Sequence, residues 1–207
     1  SPYDKLEDAK KWSESLKNEY GFCVPSMQSI WYGRQEKIFH SPEDREALTE
    51  YTKKAIDFAA AIGCGNLVFG CPRNRNIEGE YDPDVATDFF RTIGDYAASR
   101  GTTIGMEANP PIYNTNFIND TVSAIELIEQ VGSDGFKLNL DLGTVIQNRE
   151  NLSELIGKVS IINHVHISEP GLKPVEERKL HSELRDILVK ENYQGFVSIE
   201  MGKVDDI

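Results

Sequence analysis

The sequence predicts an α/β protein folded as a parallel (βα)8-type barrel that lacks its first one to two βα units. Three observations lead there. Charged amphipathic stretches alternate with short β-rich runs, cap and turn residues mark the junctions, and a length of 207 residues with 39% hydrophobic content suits a single domain over 1–207 with its own core. Strict alternation of this kind makes a parallel sheet with helices outside it, either doubly wound or closed into a barrel. A full (βα)8 barrel runs to about 250 residues. Here six units of each kind are legible, beginning on a helix, so roughly the first strand, first helix and second strand of a barrel are missing.

In order, a helix near 4–19 precedes the strand "GFCVPSM" at 21–27. The helix at 41–62 opens on "SPEDRE", with Ser41 as N-cap and Pro42 in the first position, and leads to the strand "NLVFG" at 66–70. Asp82 and Pro83 repeat that start for a helix at 84–99, followed by "TTIGMEA" at 102–108. Helices at 119–131, 150–157 and 176–192 then alternate with strands at 136–141, 160–167 and 196–200. Gly63, Gly101 and Gly132 stand where helices stop.

Composition narrows the function classes. A net charge of −12 argues against a nucleic-acid partner, whose phosphates are bound largely by lysine and arginine. No apolar run approaches the roughly 20 residues of a membrane span, and "SPYDKLEDAKKW" has neither the basic start nor the apolar middle of a signal peptide. Cys23, Cys64 and Cys71 are odd in number and widely spaced, which favours a reducing, cytoplasmic setting over a disulfide framework.

Alternation along strands groups the polar residues. Glu107 shares a face with Gly105, Asp141 with Asn139, His166 with His164, and Glu200 with Ser198. Four successive strands thus end, on the carboxyl side, in Glu107, Asp141, His166 and Glu200, where parallel α/β folds bind ligands. One such residue alone is most often a solvated or capping group. Four together suggest a divalent metal site, because three crowded carboxylates need a cation to stay ionised. One imidazole and three carboxylates suit Mn, Mg or Co and accommodate Zn. Asn139 and His164 would support the ligands from the layer below.

"VFGCPRNR" (68–75), "GMEANPPIYNTNFIN" (105–119), "LNLDLGT" (138–144), "HVHISEP" (164–170) and "VSIEM" (197–201) together resemble the sugar phosphate isomerase/epimerase group of the xylose-isomerase-like TIM barrels. The resemblance implies a divalent ion held by Glu107, Asp141, His166 and Glu200, with Glu107 and Glu200 as catalytic carboxylates that exchange a carbon-bound proton through an enediolate. It implies a sugar, sugar phosphate or related polyol as substrate. Ketose 3-epimerases of this group carry a histidine three residues after the aspartate and an arginine six after the ligand histidine. This chain has Thr144 and Leu172 there, so that activity is not assigned.

Further candidate substrate contacts are Gln28 and Trp31 in "SMQSIWYG", the latter as a sugar platform beside Tyr32, Arg73 and Arg75 for an anionic group, Asn109, Glu169 in the rim loop, and Lys203. His40 and His181 read as surface residues. Competing readings are an inosose-type dehydratase, a non-catalytic carbohydrate-binding barrel and, ranked low on charge and histidine count, a multi-metal phosphodiesterase. The missing units would leave strand edges open, which is met either by a longer natural protein or by a homo-oligomer.

Overall fold

Six parallel strands form one sheet in sequence order, each paired with the next. The structure, a computed structural model, describes residues 1–203. The strands are β1 (Ser26–Met27), β2 (Asn66–Phe69), β3 (Ile104–Met106), β4 (Phe136–Asp141), β5 (Ile162–Ile167) and β6 (Phe196–Ile199). The helices are α1 (Leu6–Tyr20), α2 (Pro42–Ala61), α3 (Pro83–Ser99), α4 (Thr121–Val131), α5 (Leu142–Asn148) and α6 (Lys179–Lys190). An unbroken parallel order with helices in the connections is the barrel arrangement, here over six strands, and among the described residues β1 and β6 remain its two edges. No helix of the described residues is long and apolar enough to cross a membrane.

The caps behave as the sequence suggests. Ser41 accepts the Asp44 backbone N–H and Asp82 accepts that of Asp84, each with proline next in the helix. Gly132 closes α4 in the left-handed conformation at φ 62°.

Two elements differ from expectation. The strand at 21–27 shrinks to Ser26–Met27, because Pro25 has no N–H to give a ladder. The helix expected at 150–157 is instead α5, which starts directly after β4, followed by a 3-10 turn at Leu152–Leu155. Asp141 ends the strand and caps the helix at once: its side chain accepts the Thr144 N–H.

The core lies between the strands and α2, α3 and α4. Phe69 and Phe90 meet edge to face at 5.1 Å, and Phe90 stacks on Phe136 at 4.8 Å. Helix α3 approaches β4 closely through two glycines. A Cβ placed on Gly135 would lie 2.0 Å from the Gly94 carbonyl oxygen and 2.5 Å from the Ala98 nitrogen.

Candidate active site

The ladder delivers four chemically competent side chains to one end of the sheet. Glu107 follows β3 directly and its N–H still bonds the Phe69 carbonyl at 3.1 Å; Glu200 follows β6 in the same way, bonded to Ile167 O at 3.0 Å. Asp141 and His166 sit opposite one another in the β4–β5 register. Ligand atoms of Glu107, Asp141, His166 and Glu200 all lie within 4.8 Å of one another. Nδ1 of His166 stands 3.0 Å from Glu107 Oε1 and 3.2 Å from Glu200 Oε2.

Three of the four side chains are held from behind. Asp141 Oδ2 accepts the Thr144 N–H at 2.8 Å and its hydroxyl at 3.0 Å, while Ser168 donates to Oδ1. Asn139 Nδ2 donates to Glu107 Oε1 at 2.8 Å and lies 3.3 Å from His166 Nδ1. Behind it, Asn66 Nδ2 donates to Asn139 Oδ1 at 3.1 Å and to Ser26 Oγ at 2.8 Å. Asn163 Nδ2 donates to Asn66 Oδ1 at 2.8 Å and to the Gly65 carbonyl at 3.2 Å. His164 pairs with Ser198 Oγ at 2.7 Å and packs its ring edge-on against His166 at 5.2 Å, so its support is contact rather than a hydrogen bond.

Glycines make room for these groups. A Cβ on Gly70 would sit 3.1 Å from Glu107 Oε2, one on Gly105 2.5 Å from Asn66 Oδ1, and one on Gly143 2.8 Å from Ser168 Oγ. The sequence alone does not single out Gly70, Gly143, Asn66, Ser168, or Thr144 as a support for Asp141. The signal for Gly143 and Thr144 was present in "DLGT", since small and hydroxyl residues just after a strand-end aspartate are what a capped, close-packed strand-to-helix junction uses.

Electrostatically the cluster carries more negative than positive charge. Loss of water raises the Glu107 carboxyl above its ordinary range, with Asp141 and Glu200 adding to the effect. Burial likewise raises Asp141. Burial would depress His166, but its hydrogen bonds to Glu107 and Glu200 outweigh that and lift it to about 10. The same hydrogen bond from His166 holds Glu200 below its usual value. His164 is pushed down to about 4 by burial and then by the charge on His166. A shared proton on His166 is thus the positive charge that the three carboxylates have, and a divalent cation among the same atoms fits the donor set better.

A cavity of about 190 Å³ opens over the cluster, lined by Glu107, Asp141 and Glu200 together with Gln28, Asn109, Tyr113 and Leu172. Gln28 also donates toward Glu200. Tyr113, overlooked in the sequence, accepts the Gly171 N–H at 3.1 Å and so ties the loop after β3 to the loop after β5.

Other expected contacts lie elsewhere. Arg75 is fully buried, with Nη1 donating to the Glu107 carbonyl at 2.8 Å and Nη2 to Asn109 Oδ1 at 2.9 Å; it braces the loop after β3 and does not face a substrate. Trp31 is buried, its Nε1–H spent on Thr52 Oγ1 at 2.7 Å and its ring edge-on to Phe69, so it offers no open sugar platform. Glu169 is buried too, and Arg178 donates to both of its oxygens, which occupies the groups expected to meet a hydroxyl. Arg73 is exposed beside a second cavity, and Lys203 is exposed. His40 is exposed, whereas His181 is half-buried and lines a cavity with Leu184 and Leu188.

Fold and site together define a parallel (βα) barrel with an acid–imidazole cluster at the carboxyl ends of its strands. The chain belongs to the xylose isomerase-like TIM barrel family, whose family model matches residues 5–206. Among solved structures it is similar to a 3-keto-D-glucoside 4-epimerase from E. coli, with 19% identity and TM-score 0.76 over 97% of this chain and 80% of that one. An AP endonuclease of family 2 from Brucella melitensis matches with 22% identity and TM-score 0.75, over 97% and 80%. A D-psicose 3-epimerase from Clostridium cellulolyticum H10 matches with 15% identity and TM-score 0.80, over 98% and 72%. At these identities the likeness shows the fold. No curated protein matches the chain.

Proposed function

We propose that the protein is a divalent-metal-dependent isomerase or epimerase acting on a sugar, sugar phosphate or related polyol, by proton transfer through an enediolate. The observation that carries this reading is the convergence of Glu107, Asp141, His166 and Glu200 within 4.8 Å at the strand ends. Epimerases among the similar structures support it. A bound Mn, Mg, Co or Zn ion would supply Lewis-acid polarisation of a carbonyl and its neighbouring hydroxyl.

Everything else falls to the chain's own groups. Glu107 and Glu200 flank His166, and their environments push their pKa values apart, Glu107 up and Glu200 down. A pair separated in this way suits one group taking a carbon-bound proton while the other stays ionised. Asp141, with Oδ1 accepting from Ser168 and Oδ2 from Thr144, is fixed in place and serves as a ligand rather than as a proton carrier. The three free thiols fit a cytoplasmic setting, and the net charge of −12 weighs against nucleic acid as substrate.

The test is elemental analysis of the purified protein beside a Glu107→Gln, His166→Ala double variant, followed by deuterium incorporation from solvent into ketoses and keto-polyols. The expected result is one divalent ion per chain, lost in the variant, and exchange at a carbon next to a carbonyl. Absence of metal in both proteins after soaking in Mn²⁺ sinks the reading.

Metal binding is also expected to depend steeply on pH. His166, lifted to about 10, is protonated at neutral pH in the metal-free protein and must lose that proton to ligate. Apparent Mn²⁺ affinity should therefore fall by about ten-fold for each pH unit lowered, as read by calorimetric titration. An affinity that is flat with pH contradicts this. The corresponding sign for the metal-free fold is that the His166 contribution to stability is full below 6.5 and is lost as pH rises through about 10.

A further inference from the structure

A second cavity adjoins the one over the carboxylates. It has a volume of about 490 Å³ and shares Ser29, Cys71, Pro72 and Tyr113 with the smaller one as common walls. The two differ in charge. The inner cavity is lined by three carboxylates and no lysine or arginine; the outer is lined by Arg34, Lys37 and Arg73 and no carboxylate, in a chain with 34 acidic and 22 basic residues. Chance placement in so acidic a protein favours the opposite.

The local structure explains how the cations get there. Cys71 takes the left-handed conformation at φ 41° and starts the 3-10 turn Pro72–Arg75, which turns Arg75 into the core and leaves Arg73 at the surface. Arg73 has no hydrogen bond or ion pair among the described residues, whereas Arg34 and Lys37 are paired with Glu36 and Glu78, which do not line the cavity. Nε of Arg34 is buried without a partner, although the guanidinium also lies over the Tyr51 ring at 4.7 Å.

We infer that the outer cavity binds an anionic group on the substrate, a phosphate or a carboxylate, while the polyol end of the same molecule reaches the carboxylate cluster. This rests on the proposed isomerase or epimerase reading and narrows its substrate class to charged carbohydrates. The outer cavity's basic lining orients such a molecule: its anionic end is held by guanidinium groups whose several donors suit phosphate and carboxylate oxygens, which leaves the polyol end for the inner cavity.

The experiment titrates metal-loaded protein with D-fructose, D-fructose 6-phosphate and 5-keto-D-gluconate, for the native chain and for Arg73→Ala. At least one anionic compound should bind about ten-fold or more tightly than fructose, the scale of one charge-assisted contact. That ratio should shrink in Arg73→Ala, be largely restored in Arg73→Lys, and weaken with added salt. Which anion gains more separates a phosphate site from a carboxylate site. Fructose binding as tightly as both anions, a ratio that survives Arg73→Ala, or no binding of either anion overturns the inference. Solvent-deuterium exchange is read in parallel: an Arg73-dependent ratio with no exchange in any compound removes the isomerase or epimerase reading and leaves the anion site standing.

Discussion

Glu107→Gln is expected to slow carbon-proton exchange in the metal-saturated protein by about 10²- to 10⁴-fold, the range of a positioned general base, while the protein stays folded. The amide can keep the architecture because its oxygen replaces Oε1, which accepts from Asn139 at 2.8 Å and faces His166 at 3.0 Å. Its NH₂ then replaces Oε2, whose protein donor is Asn109 Nδ2 at 3.4 Å, a weak contact to lose. Exchange measured by NMR in D₂O, with a thermal melt beside it, separates the two effects. Exchange within ten-fold of the native rate would falsify the role given to Glu107.

Gly135→Ala is expected to destabilise the protein by about 3 kcal/mol or more, at or beyond the upper end of ordinary overpacking. The added methyl would meet backbone, Gly94 O at 2.0 Å and Ala98 N at 2.5 Å, so no rotamer change relieves it and α3 as a whole must move off β4. Moving α3 also unstacks Phe90 from Phe136. Urea unfolding reads the cost directly; a loss under about 1 kcal/mol means that α3 has slack the close approach does not suggest. The carboxylate–imidazole cluster lies at the other end of β4, so the variant's remaining folded fraction should still bind the proposed ion.

What the sequence reveals here is what local rules govern. Alternating periods, the Ser41 and Asp82 caps and the glycine stops are short-range physics, and all six strands fall where the pattern puts them, β4 with the expected ends and the others shorter than expected. The four strand-end residues were legible because strand alternation and parallel order suffice to bring them together. Long-range partners were not. Arg75 and Glu169 read as rim residues because charged side chains usually face water. Their burial depends on the Asn109 and Glu107 carbonyl acceptors in one case and on Arg178 in the other, which a linear reading does not supply. Trp31 was misjudged for the same reason, its polar atom being claimed by Thr52 from a helix 21 residues away. The displaced helix after β4 is a different error. Asp141 was weighed only as a ligand, and its second role as a cap moved the helix start forward.

The row of carboxamides beneath the site has one direction, set far from the chemistry. The Gly65 carbonyl can only accept, so the Asn163 atom facing it is the nitrogen, and Asn163 must present that same nitrogen to Asn66 Oδ1. With its oxygen committed, Asn66 turns its NH₂ to Asn139 Oδ1, and Asn139 in turn has only its NH₂ left for Glu107. One backbone oxygen at the barrel floor thereby decides which way every amide above it points, like a keyed stack that assembles one way up. The consequence reaches a single atom. Oε1 of Glu107 faces donors from below and is closed to a proton, so any proton this carboxylate takes from carbon goes to Oε2, the oxygen beside Gly70 and the open cavity.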